Sequence, residues 1–220
     1  MTRKLKLLGL ALMAALAVNS VAVDVASADV VTSEASSTKL TGIQEGVDAF
    51  TFHAGATQCT TVRYTGSISG TSSSSISITP FYFGCVFVGL GAVFDLNGCS
   101  YRMNINSTVA NTTATTDIVC PTGKEITITA PSPGTPKCII HIPPQTGLAP
   151  ISVANIGSGT TRELTASLAI TNIKYSQTAG TAETGNCATA DNTTGGTYLG
   201  STIFTGESST TFAHIGIFFS

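Results

Sequence analysis

Apolar and polar residues alternate one by one along most of this chain, in short runs broken by Gly, Pro, Asn and Ser. The clearest run sets Leu164, Ala166, Leu168 and Ile170 on one side, with Thr165, Ser167, Ala169 and Thr171 on the other. A period of two is the signature of a strand with one face buried. Ile173 and Tyr175 resume the alternation on the opposite phase, which predicts a β-bulge near Asn172. Similar runs span residues 47–53, 61–65, 75–79, 85–96, 100–105, 116–120, 124–130, 137–142, 151–155, 197–204 and 210–219. They are rich in Thr, Val and Ile, and past residue 28 no stretch carries apolar residues at helical spacing over a helical length.

This pattern predicts an all-β fold, an antiparallel β-sandwich whose two sheets bury their inner faces against each other. A closed barrel is the rival, and the internal cysteines and irregular run lengths weigh against it. Residues 29–39 are polar and lack a sustained period, so they read as a flexible lead-in to a β-domain spanning 40–220. Two short echoes suggest related subdomains with a joint near 107–116. Ser77-Ile78-Thr79-Pro80 leads into Cys85 much as Ile126-Thr127-Ile128-Thr129 leads into Cys138, and Thr61 to Gly66 resembles Asn172 to Ser176.

Residues 1–28 stand apart. Arg3, Lys4 and Lys6 precede an apolar run from Leu7 to Val18, and Ala26-Ser27-Ala28 precedes Asp29. This is the layout of a secretory signal peptide cleaved between Ala28 and Asp29. The apolar run falls short of the roughly twenty residues a spanning helix needs. The expected mature chain is therefore secreted, free outside the cell or associated with its wall, and not inserted in a membrane. Removing residues 1–28 takes away three of the ten basic residues and one of the twelve acidic ones, leaving a net charge of −4. With few charges and no cluster of Lys or Arg in the expected mature chain, nucleic acid is not an expected partner.

An oxidising compartment makes disulfides the first reading of the six cysteines, all of which follow the cleavage site. The expected pairing staples two hairpins, Cys85 with Cys99 and Cys120 with Cys138, and ties early to late chain through Cys59 and Cys187. Spacing alone leaves other pairings open.

The order of Gln58-Cys59 before Tyr64-Thr65-Gly66, Thr79-Pro80 before Gly84-Cys85, Asn97-Gly98-Cys99-Ser100-Tyr101, Val119-Cys120-Pro121, and Cys138 ahead of Ile142-Pro143-Pro144-Gln145 covers most of the mature chain. In this it resembles a group of uncharacterised secreted bacterial six-cysteine β-rich proteins. The resemblance implies an exported, cysteine-stapled β-protein and supplies no activity and no functional residue.

Candidate chemistry is sparse. His53, His141 and His214 each fall in a predicted strand, far from one another in sequence, so none announces a triad. Asp95, Asp117, Glu125, Glu163, Glu183, Asp191 and Glu207 are scattered and read as solvated or turn-forming. No Cys-x-x-Cys or His-x-x-x-His spacing occurs, and no cofactor motif, so no catalytic, metal or cofactor residue is assigned. Asp95-Leu96-Asn97-Gly98 and Asp191 to Gly196 carry oxygen donors that calcium uses, but Asx and Gly are also what tight turns require. Asn106, Asn111 and Asn192 fit the N-glycosylation pattern by composition alone. The dense apolar segment Phe81 to Val88 reads as a buried central strand, and Tyr64, Tyr101, Tyr175 and Tyr198 as candidate contact residues. The expected function is a secreted structural or binding protein. The alternatives are a secreted hydrolase assembled from distant residues and an inhibitor presenting the loop from Pro131 to Pro136.

Overall fold

Long strands of this protein such as β4 (Gly55–Ser69) and β13 (Glu163–Thr178) turn a row of apolar side chains one way and mostly polar, often hydroxylic, side chains the other. The computed structural model describes residues 30–87, 89–108, 111–132, 135–178, 187 and 190–219. The signal peptide expected over 1–28, with cleavage between Ala28 and Asp29, lies outside the described residues. So do Glu183, the side chains of Asn106, Asn111, Asp191 and Asn192, and those of the Pro131 to Pro136 loop.

The strands in chain order are β1 (Val31–Ser33), β2 (Ser37–Gln44), β3 (Asp48–Phe52), β4 (Gly55–Ser69), β5 (Ser72–Ser73), β6 (Ser75–Phe87), β7 (Leu90–Asp95) and β8 (Ser100–Thr108). They continue with β9 (Asn111–Val119), β10 (Ile126–Ser132), β11 (Thr135–Ile142), β12 (Gln145–Ile156), β13 (Glu163–Thr178), β14 (Ala190–Ser208), β15 (His214–Ile215) and β16 (Ile217–Phe219). Among the described residues the one helical element is a 3₁₀ turn at Gly159–Thr161.

The architecture follows from how these strands join. β2 runs on into β3, and both pair antiparallel with β4. In the same way β7 runs into β8 beside β6, β9 and β10 line up beside that pair, and β11 and β12 lie beside β13. Four interrupted strands and four long ones thus make eight antiparallel staves, with β4 beside β6, β13 beside β14, and three of the interrupted staves side by side between β6 and β13. The last stave, β14, pairs with both β2 and β3, so the ring closes. The molecule is all-β, antiparallel and disulfide-stapled, as expected. Its opposed inner faces pack like a sandwich's, and hydrogen bonds join them along both edges. The irregular run lengths that weighed against closure arise because four staves are broken partway. In the segment 107–116, expected as a joint, Ser107 and Thr108 of β8 pair with Thr112 and Asn111 of β9.

Apolar residues point inward. Leu40, Val62, Ile76, Met103, Ile151 and Leu164 fill one end of the lumen, and Phe52, Phe87, Ile128, Ile140 and Ile173 fill the other. Outward positions are mostly hydroxylic, as in β4, where Thr60, Thr65, Ser67 and Ser69 are exposed. Between the two ends the inward phase slips by one residue, from Cys59 to Val62 in β4 and from Ile170 to Ile173 in β13. The expected bulge is there: the β13–β14 register shifts between Ile170 and Ile173, and Asn172 takes a left-handed φ of 60°. Breaks or bulges in neighbouring staves at this level form an irregular waist. In β6 the slip occurs at Gly84, whose φ of +57° and closeness to Thr60 Oγ1 leave no room for a side chain. Because the phase slips there, Phe81 and Phe83 point outward, 46% and 53% exposed, while Cys85 and Phe87 point in. The segment expected as a buried central strand is therefore buried on one face only.

Residues 29–39, expected as a flexible lead-in, instead contribute β1 and the start of β2. β1 sits between β5 and β16 in a three-stranded sheet at one end of the barrel. Val31 and Ile217 are fully buried there. The isolated polar look of this segment hid a pairing with the far end of the chain, which no local period reports.

The disulfides join Cys59 to Cys85, Cys99 to Cys120 and Cys138 to Cys187. All six cysteines are bridged, and all three expected partners are wrong. The reason is register, which the hairpin turn fixes. The turn after β6 puts Cys85 opposite Ala92, not Cys99, while β4 on its other side puts Cys59 directly opposite Cys85. Cys138 likewise faces Ala130 across its hairpin. Cys99 and Cys120 sit one step beyond the Ser100–Val119 pair, at the waist breaks of two adjacent staves.

Peptide mapping of the unreduced protein is expected to recover these three bridges and no Cys85–Cys99 or Cys120–Cys138 peptide. Gly84→Ala is expected to lower the urea-unfolding free energy by about 1–3 kcal/mol. Gly91→Ala, where an added Cβ meets nothing within 4 Å and φ is not positive, should stay within about 0.5 kcal/mol of wild type.

Candidate functional site

Two places concentrate polar chemistry, one inside the lumen and one on the outer face of the waist. Inside, the first residue of β3 is Asp48, which shares its inward phase with Phe50 and Phe52. It is 2% exposed. The Tyr64 hydroxyl donates to Asp48 Oδ2 at 3.4 Å and lies 2.8 Å from the Tyr198 hydroxyl. A second phenol pair, Tyr82 and Tyr101, is also at 2.8 Å. Tyr64, Tyr101 and Tyr198, which the sequence could only name as scattered candidates, thus converge inside the barrel. Tyr175 packs edge-on against Phe52, and its hydroxyl accepts from the His53 backbone N–H at 2.8 Å. Gly200 makes the cluster possible, because an added Cβ would lie 2.0 Å from Asp48 Oδ1 and 2.7 Å from the Tyr198 hydroxyl.

Burial raises the Asp48 carboxyl to about 6, against the Tyr198 and Tyr64 hydroxyls that pull it down. Burial also raises the Tyr101 phenol to about 12 and pushes those of Tyr64, Tyr82 and Tyr198 well above the ordinary phenol value, so these phenols stay neutral. Beside the cluster is an internal cavity of about 40 Å³, bounded by Tyr64, Tyr101, Tyr198, Thr202 and apolar side chains such as Ile151 and Ile170. A water needs roughly 10–15 Å³ of such space. The lumen is therefore filled by its own side chains, with room for water-sized occupants only.

On the outer face, a groove of about 740 Å³ runs along the waist where β12 bulges away from β9. It exceeds two other surface hollows of about 350 and 360 Å³. Arg102, Val119, Thr146, Thr171, Asn172 and Lys174 line it, and no carboxylate does. Behind Arg102 lies Asp117, its register partner on β9. Asp117 Oδ2 accepts from Arg102 Nη2 at 2.8 Å, Arg102 Nε at 3.2 Å and Asn104 Nδ2 at 3.0 Å. Its Oδ1 accepts from the Gly147 N–H at 2.8 Å, which pins the bulge. Burial opposes ionisation of Asp117, but the hydrogen bonds from Arg102, Gly147 and Asn104 and the arginine's charge outweigh it, and its pKa lies below the ordinary value. Lys174 is held by its backbone: its N–H donates to Gln145 Oε1 at 2.9 Å and its carbonyl accepts from Gln145 Nε2 at 3.0 Å. Sequence inspection missed this site, since Arg102 and Lys174 share no local motif. The bulge signal at Asn172 was its one visible trace.

Two of the histidines each meet a carboxylate of the scattered set, His141 with Glu125 and His214 with Glu163. His141 Nδ1 lies 2.7 Å from Glu125 Oε1 on the outside of the barrel. His214 Nδ1 meets the Thr160 carbonyl at 2.8 Å, and His53 is exposed in the turn after β3. Asp95 serves a turn, its Oδ1 accepting from the Asn97 N–H at 2.9 Å, with Asn97 and Gly98 both at positive φ. Among the described residues no group of three or more His, Cys, Asp or Glu side chains is placed to hold a metal ion. Among the described residues no helix is long and apolar enough to cross a membrane. No protein-family model, curated protein or solved structure matches this chain.

Asp48 and Asp117 carry opposite pH signatures. The folded-state pKa of Asp48 is above its unfolded value, so its contribution is most favourable below about pH 4 and declines as pH rises through about 6. Asp48→Asn is expected to raise the melting temperature at pH 7 and to flatten its fall between pH 4 and 7. Asp117 is depressed, so its stabilisation is present at neutral pH and lost as pH falls. Thermal melts of the two Asn variants across pH 3 to 8 should separate these two slopes.

Proposed function

We propose that this chain is an exported binding protein that works outside the cell or at its surface, and that it engages its ligand on the outer face of the barrel. The observation that carries this reading is the contrast between the two concave places: the lumen is filled, while the waist groove is open and carries a fixed arginine. Three disulfides with no free thiol among the cysteines suit an oxidising location. The apolar-in, hydroxyl-out pattern suits a barrel standing in water and is the reverse of a lipid-facing one. A barrel sealed at one end by β1, β5 and β16 and stapled between staves provides a rigid platform, which lowers the ordering cost of binding.

One observation favours a secreted hydrolase as a second reading. His141 pairs with Glu125, and Thr127 and Ser176 sit directly opposite His141 on the two neighbouring strands, all on one outer face. A base with an orienting carboxylate beside hydroxyl groups is the raw material of nucleophilic catalysis. His141 lines none of the hollows described above, and among the described residues no hydroxyl hydrogen-bonds its ring, so binding is the better-supported function. Ester, glycoside and peptide substrates incubated with the purified protein are expected to show no turnover. Turnover that His141→Ala abolishes while the fold persists would overturn the binding reading in favour of the hydrolase.

A further inference from the structure

We infer that the waist groove binds a carboxylate-bearing saccharide, an inference that rests on the binding reading above and specifies its ligand class. The mature chain is acidic overall, yet this groove is lined by two cations and no carboxylate. Arg102 and Lys174 come from staves on either side of the bulged β12 edge, so the positive character is created by folding. Asp117, the nearest acid, is spent: one oxygen takes three donors and the other takes the Gly147 N–H. Its effect on Arg102 is to fix the guanidinium through Nε and Nη2, while Nη1 makes no hydrogen bond among the described residues. The arginine side chain is 47% exposed. A preorganised guanidinium edge is a carboxylate receptor that loses little side-chain freedom on binding.

The rest of the lining narrows the ligand further. Thr146, Thr171 and Asn172 offer hydroxyl and amide groups that pair with sugar hydroxyls, and Val119 supplies an apolar patch for a ring's C–H face. The groove is open along the waist, which admits an internal unit of a polymer as readily as an end. A peptide fits less well, because extended peptides gain affinity by adding to a free strand edge. Here the ring is closed, and the Gln145 side chain already occupies the backbone groups of Lys174. Nucleic acid fits less well again, since two cations on an acidic protein give little counterion release.

The test is calorimetric titration of the full mature protein with oligogalacturonate, with a neutral oligoglucan of equal length, with an acidic peptide and with a single-stranded oligonucleotide. The expected result is binding of oligogalacturonate in preference to the other three, weakened about tenfold by Lys174→Gln. Arg102→Gln should weaken it at least as much, and Arg63→Gln, the same charge change on the outer face of β4, should leave it unchanged. Thermal melts of each variant separate loss of binding from loss of fold, and Lys174→Gln, which leaves the Asp117 cradle intact, serves if Arg102→Gln unfolds. Equal loss from Arg63→Gln would mean non-specific attraction and overturn the groove assignment. Preference for the neutral glycan, the peptide or the oligonucleotide would overturn the ligand class and leave the binding reading standing. No binding in any arm overturns this inference and leaves the broader reading to the substrate assays.

Discussion

Everything in this molecule depends on the hydrogen bonds between β14 and the β2–β3 stave, which join the last long strand to the first. Without them the sheet would have two exposed edges, each a row of unpaired N–H and C=O groups open to other chains. With them the staves form a circuit, and the apolar rows of opposed strands are forced into one enclosed space. That closure decides which side chains are core and which face water. It also explains why a chain with so few charges can present a hydroxyl-rich exterior, because most of its large aliphatic residues have an inner face to occupy, although Ile43, Val47, Val93 and Leu199 stay exposed.

Closure carries a geometric cost that the waist absorbs. Four staves break and others bulge at this level, and the inward phase slips by one residue as it passes through. Two of the three disulfides lie there, Cys59–Cys85 across paired strands and Cys99–Cys120 across adjacent breaks. They tie neighbours together where the hydrogen-bond ladder is most irregular. The same irregularity has a chemical use. Bulging lifts β12 away from β9, opens the groove and brings the Gly147 N–H onto Asp117, so the acid that fixes Arg102 is itself fixed by the bulge. Inside, the waist is where Asp48 and the tyrosines meet, a polar inclusion that Gly200 accommodates by having no side chain.

The local features of this fold were legible in the sequence, because alternation reports a strand's own two faces and nothing more distant. It located the β13 strand, the bulge at Asn172 and the Asx turn at Asp95. It misjudged segments whose surroundings come from elsewhere. Residues 31–33 look like a polar tail until β16 arrives to pair with them, and Phe81 and Phe83 look like core until Gly84 shifts the phase. The cysteine pairing failed for a related reason: loop length suggests which residues are near, whereas register decides which are opposite.

What the amino-acid sequence determined by itself is the material: β-strands with one greasy face, cysteines in even number and a largely hydroxylic set of outward residues. These follow from side-chain chemistry and short-range periodicity. What only the tertiary structure decided is neighbourhood. Ring closure, the three bridges, the tyrosine cluster around Asp48 and the meeting of Arg102 with Lys174 each join residues from different staves. A period of two sets which way a side chain points, but long-range hydrogen bonding and packing choose what it points at, and binding chemistry is a property of that choice.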